Sequence, residues 1–188
     1  MSTSGPARYD VAMRDVVIRA ARPTDALCLH ALATQVFLET YATSGIREAI
    51  AREVRSHFSE ASCARLIEAR RNRILLAEHG DHLVAFAELN LGATHELVGN
   101  APAAELNRLY VQSPFTRRSI GSALLQAADQ CAAISGACTV WLTAYVGNTR
   151  ALAFYASQGY RELGITQYEF EGERFENRLF AKALRTMT

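Results

Sequence analysis

The chain has 188 residues, enough for one domain of ordinary size and too few for two full cores. Apolar residues make up 49%, charged residues 21%, and the formal net charge is +1. No broad electrostatic field therefore draws it to nucleic acid or an anionic membrane, and no run approaches the roughly 18 apolar residues of a membrane span. Cys28, Cys63, Cys131 and Cys138 form no CxxC pair and read as buried reduced thiols. The N-terminus carries no apolar leader core, so a cytoplasmic protein is expected.

Residues 1–14 show no periodicity and are expected to be a flexible N-terminus, with 15–188 forming a single domain. Val16 to Arg19 reads as a short strand. Pro23-Thr24-Asp25 opens a helix, with Thr24 or Asp25 as its cap, and Leu29, Leu32, Val36 and Phe37 recur at helical spacing. A second helical region runs from about Ile46 to Arg70, interrupted near Phe58-Ser59. Two strands, Ile74–Glu78 and Leu83–Glu88, flank the turn His79-Gly80-Asp81-His82 as a hairpin. Residues 92–103 are a loop, and Glu105 to Val111 is another strand. From Gly121 the apolar positions turn helical again and stop at Gly136. Cys138 to Val146 is a nearly continuous apolar run, predicting a central strand buried on both faces. Asn148 opens a short helix that Gly159 closes, and Gln167–Phe170 with Arg174–Ala181 forms a final hairpin. Antiparallel strands first and a β-α-β unit second imply an α/β fold of α+β type. It has a mixed, mostly antiparallel central sheet with helices on both faces.

Several chemistries are excluded. HExxH, GxSxG, GxxxxGK[ST] and GxGxxG are absent, and the five histidines are scattered, so no metal site is expected. What remains is a strand, a turn and a helix start. Leu109-Tyr110-Val111 leads through Gln112 to Phe115 into Thr116-Arg117-Arg118-Ser119-Ile120-Gly121-Ser122. Small residues at 119, 121 and 122 leave the first helical N–H groups uncovered, and those donors carry the positive end of the dipole. The segment reads either as a pyrophosphate cradle or as an ordinary helix start with two solvated arginines.

ELNRLYVQSPFTRRSIGSALLQAA followed by WLTAYVGNTRALAFYASQGYRELG resembles the Gcn5-related N-acetyltransferases (GNAT). The likeness covers residues 72–184 well and the N-terminal helices loosely. It rests on two motifs. The family's [Q/R]xxGx[G/A] loop falls on Thr116 to Gly121. An Asn after the fifth strand, an aromatic-Tyr pair and a Gly-aromatic pair fall on Asn148, Phe154-Tyr155 and Gly159-Tyr160. Two positions depart from the pattern. Thr116 stands in place of Gln or Arg, and Ser119 in place of the first Gly.

The resemblance implies a fold with two splayed parallel strands, here 105–111 and 138–146. Acetyl-CoA would be the cosubstrate, with no metal. It implies that the backbone of Leu109, Tyr110 and Val111 binds the thioester and pantetheine. The segment Arg117, Arg118, Ser119, Ile120, Gly121 and Ser122 would hold the pyrophosphate, with Asn148 beside the pantetheine. Asn148 reads otherwise as a helix N-cap, a role compatible with that contact. Tyr155 becomes the general acid for the leaving thiolate; without the resemblance its spacing from Ala151 and Leu152 reads as core. Glu105 and Glu88 are the candidate bases, and each reads otherwise as a solvent-facing carboxylate. An amine acceptor, small molecule or peptide, attacks the thioester directly, and one strand N–H on the oxyanion is worth roughly 3 kcal/mol. The alternative is a non-catalytic module of the same fold that binds acyl-CoA. The last strands offer a surface for a homodimer.

Overall fold

The computed structural model describes residues 8–13, 16–170 and 173–184. In chain order these form β1 (Arg8–Met13), β2 (Val16–Ala20), α1 (Ala26–Tyr41), α2 (Glu48–His57), α3 (Glu60–Glu68), β3 (Asn72–His79) and β4 (His82–Leu91). Then follow β5 (Ala103–Val111), α4 (Ile120–Ile134), β6 (Thr139–Tyr145), α5 (Thr149–Ser157), β7 (Arg161–Phe170) and β8 (Glu173–Ala183). The described residues fall into two compact units. One lies within Met1–Glu88 plus Arg108–Ala128, the other within Leu89–Asn107 plus Asp129–Thr188. Strands β4 and β5 and helix α4 run through both.

In the first unit the strand order is β1-β2-β3-β4-β5. The apolar runs of β3 and β4 explain their central place: Ile74 to Ala77 and Val84 to Leu89 are buried without a break. Gly80, with φ +60°, makes the tight turn between them. The helices pack their apolar stripe on this layer. Leu29, Leu32, Val36 and Phe37 of α1, Ile50 of α2 and Cys63 of α3 share one core with Ile74, Leu76 and Phe86. Each such large side chain contributes about 1.5–3 kcal/mol on burial. The break between α2 and α3 falls at Phe58-Ser59 as expected, where the Ser59 hydroxyl accepts from the Ser62 amide at 3.2 Å.

Two expectations are corrected here. Residues 8–13 are a strand, antiparallel to β2 with Tyr9 opposite Ile18. A strand without periodicity of its own still forms where a neighbour's edge supplies backbone partners. The rest of 1–14 lies outside the described residues. At the start of α1 Asp25 holds the N-cap position, but its side chain makes no capping bond to that helix. The Asp25 carboxylate instead accepts from the Arg22 amide at 2.6 Å and from Arg19 at 2.7 and 2.8 Å.

In the second unit the strand order is β4-β5-β6-β8-β7. Strands β5 and β6 are parallel over three pairs, ending at Glu105 opposite Trp141, although both strands continue beyond. Strand β8 pairs antiparallel with β6 from Thr139–Ala183 to Tyr145–Asn177, and with β7 across a bulge between Glu162 and Gly164. Trp141 packs with Ala103 and Leu179 and donates its indole N–H to the Ala93 carbonyl at 3.2 Å. Strand β6 is not buried throughout: Val140 to Leu142 and Ala144 are, whereas Thr143 and Tyr145 are exposed. An apolar run reports propensity, and burial needs a covering neighbour on each face. The sheet is thus mixed and mostly antiparallel, with one parallel pair and flanking helices. Among the described residues no helix is long and apolar enough to cross a membrane.

Candidate active site

After β5 the chain makes a short 3-10 turn, Ser113–Phe115, and reaches α4 through residues 116–119. Arg117 and Ser119 take φ values of 61° and 60°, the left-handed region that costs a side-chain-bearing residue about 1–2 kcal/mol. Alternating left-handed residues turn successive N–H groups to one side, the geometry of an anion nest. Among the described residues, no helical backbone bond of α4 starts from the amides of Ile120, Gly121 or Ser122. The first such bond runs from Ala123 to Ser119, at 3.0 Å. Arg117, Arg118 and Ser119 are exposed, and the Arg118 guanidinium lies 5.4 Å from the Phe115 ring centre. The turn is tied down on one side. Ser113 donates to Glu39 at 2.7 Å, Gln112 to Gln35 at 2.7 Å, and Thr116 to the Ser113 carbonyl at 2.9 Å. Thr116, which departs from the family pattern, is therefore a turn-closing residue. A helix start with open first-turn amides, exposed arginines and side-chain anchoring fits a diphosphate.

The end of β5 lies against β4. Gln112 donates its amide to the Val84 carbonyl at 3.0 Å. Two residues earlier on β5 and two later on β4, Tyr110 meets Phe86 edge-on at 5.3 Å; two further along each, Arg108 bonds Glu88. Leu109, Tyr110 and Val111 are all half-buried. Glu88 neither ends its strand nor faces solvent. It is 3% exposed, and β4 continues to Leu91. Burial pulls the Arg108 pKa down, but the Glu88 charge and hydrogen bond more than offset this, so the guanidinium is held more firmly charged than usual. Leu29, Phe58, Cys63 and Phe86 line a small pocket against this ion pair. Burial pushes the Cys63 thiol up to about 11. All four cysteines are free, but only Cys63 and Cys131 are buried; Cys28 and Cys138 are exposed, correcting the expectation for those two. A residue on the outer face of a helix or at a strand's start is not covered by its apolar neighbours in sequence.

The second unit holds Glu105, Asn148 and Tyr155. Glu105 is half-buried at the last pair of the parallel ladder. Asn148 accepts from the Ala151 amide at 3.1 Å and so caps α5. Tyr155 is half-buried, its ring 5.9 Å from Tyr160 and 6.4 Å from Phe180. Behind it the Tyr160 hydroxyl donates to Asp129 at 2.6 Å, and Lys182 binds the other Asp129 oxygen at 2.7 Å. Burial and the Asp129 charge both raise the Tyr160 pKa, keeping the phenol a neutral donor.

Residue patterns missed Arg108, Asp129 and Lys182. A signal existed for each. Arg108 shares the period-two face of Tyr110, Asp129 interrupts the apolar stripe of α4, and Lys182 is the chain's one lysine.

The model of the acetyltransferase (GNAT) family matches residues 39–160. The chain belongs to the GNAT family of acetyltransferases. An uncharacterized N-acetyltransferase of Mycobacterium tuberculosis is 30% identical over 154 residues, 82% of this chain and 94% of that protein. Two solved structures share the GNAT fold. The PaiA N-acetyltransferase from Thermoplasma acidophilum, in complex with coenzyme A, has a TM-score of 0.67 at 23% identity. That match covers 89% of this chain and 98% of the other. YncA, a putative acetyltransferase from Salmonella typhimurium with acetyl-CoA, has a TM-score of 0.70 at 15% identity, covering 93% and 96% of the two chains. This GNAT chain is an acetyltransferase by family. Among its described residues no cluster of three His, Cys, Asp or Glu side chains is arranged to hold a metal.

Proposed function

We propose that this protein moves the acetyl group of acetyl-CoA to the primary amine of a small-molecule or peptide acceptor by direct attack. Residues 15–188 act as one domain, in the cytoplasm, where four free thiols suit the reducing compartment. The observation that carries the reading is the set of first-turn amides of α4, Ile120 to Ser122, beside two exposed arginines, in a chain of the GNAT family. The coenzyme A and acetyl-CoA in the PaiA and YncA structures support the choice of cosubstrate.

Acetyl-CoA supplies an activated thioester. The amides and arginines of 117–122 hold its diphosphate, and the backbone of Leu109, Tyr110 and Val111 aligns its amide-rich arm. Asn148, while capping α5, also contacts that arm. Tyr155 gives its phenolic proton to the departing thiolate. Glu105 accepts the proton of the attacking amine through water. Glu88 is the second candidate, and its bond to Arg108 makes it the lesser one.

The experiment is a thermal shift with CoA and acetyl-CoA, followed by CoA release across polyamines, amino acids and peptide N-termini. A raised melting temperature and amine-dependent release are expected, with Gly121→Val weakening CoA binding at least about tenfold by crowding the loop. Tyr155→Phe lowers kcat at least about tenfold with unchanged acetyl-CoA affinity. No shift at millimolar CoA refutes the reading. A shift without release across the panel favours the acyl-CoA-binding module.

A further inference from the structure

The geometry points to Tyr160, Asp129 and Lys182 as positioning residues that hold Tyr155 in place for proton transfer, an inference that rests on the reading of Tyr155 as the acid. The three are closed on one another. Tyr160 is 2% exposed and Asp129 8%. Asp129 accepts from the Tyr160 hydroxyl at 2.6 Å and from the Lys182 ammonium at 2.7 Å, and that ammonium also lies 5.4 Å from the Tyr160 ring centre. A carboxylate this deep is tolerated because both oxygens are paired.

Tyr155 meets Tyr160 of this network at two points and the neighbouring Phe180 at a third. Its ring meets the Tyr160 ring edge-on at 5.9 Å. Its carbonyl accepts the Tyr160 amide at 3.1 Å, closing the end of α5 where Gly159 takes φ +84°. Its ring also rests 6.4 Å from Phe180, which lies two residues from Lys182 on β8, so both side chains leave the same face of the strand. Tyr160 is thus pinned at its hydroxyl by Asp129, and the ring it presents to Tyr155 does not swing. A proton donor must reach its acceptor within about 2.6–3.2 Å, and an error near 1 Å costs up to about 10²-fold in rate.

The test compares kcat and the acetyl-CoA KM of wild type, Tyr155→Phe, Tyr160→Phe and the double variant, using the fastest amine of the panel. Tyr160→Phe is expected to lower kcat about tenfold with KM within about twofold, and to change kcat less than about twofold once Tyr155 is already Phe. Asp129→Asn, which keeps the side chain's shape, repeats the pattern should Tyr160→Phe unfold. Equal losses in both backgrounds, or an unchanged kcat in Tyr160→Phe, overturn the positioning role. An unchanged kcat in Tyr155→Phe alone overturns the acid role instead and takes this inference with it.

Discussion

Arg108 binds Glu88 between neighbouring strands, with the carboxylate 3% exposed and the guanidinium carbon 5.0 Å from the Phe58 ring centre. Removing one partner of such a pair strands the other charge away from water. Glu88→Gln is expected to cost about 3–5 kcal/mol in urea unfolding, and Glu88→Leu with Arg108→Met to recover most of it. A loss under about 1 kcal/mol for the single substitution refutes this.

Ser119 holds φ at 60° with a side chain attached. Ser119→Gly removes that conflict and is expected to add about 0.5–1 kcal/mol of stability, after the entropy that glycine returns to the unfolded chain. Ser119→Val is expected to lower the melting temperature. Calorimetry of the two variants checks the sign of each.

Asn148 caps α5 through the Ala151 amide. Asn148→Ala is expected to cost about 1 kcal/mol, while Asn148→Ser keeps the cap. The serine variant therefore isolates the proposed cofactor contact, and its acetyl-CoA Kd is expected to rise more than twofold. An unchanged Kd leaves Asn148 as a cap alone.

Asp25 titrates below its ordinary value of 3.8, because the hydrogen bonds from Arg19 outweigh burial. A carboxylate depressed on folding stabilises the native state above its unfolded pKa, and that contribution fades as pH falls toward the folded one. Asp25→Asn is expected to lower the melting temperature near pH 7, with a gap that narrows below about pH 4. A gap constant down to pH 2 contradicts it.

Cys28 and Cys138 are exposed, whereas Cys63 is buried with its thiol near 11 and Cys131 is buried. A thiol-disulfide reagent at pH 8 is expected to titrate two thiols quickly in the native protein and four after denaturation. Four fast thiols refute it.

Much of this molecule is legible in its residue order. The strand-like segments Ile74–Glu78 and Leu83–Glu88 mark the β3–β4 hairpin, the 3.6-residue spacing of Leu29, Leu32 and Val36 marks α1, and Gly80, Gly136 and Gly159 mark where elements stop. The loop from Thr116 to Gly121 and the Phe154-Tyr155 pair pointed to the candidate site for the same reason: each is a pattern among near neighbours.

Tertiary structure decided the rest. Whether Glu88 faces water depends on Arg108, 20 residues later, and the Asp129–Lys182 bond joins side chains 53 residues apart. The pairing of β8 with β6 as well as β7 is likewise a choice among backbone partners, which no local spacing encodes. Periodicity reports which side chains share a face. Which charge is desolvated, and which partner offsets it, depends on what the folded chain lays over that face.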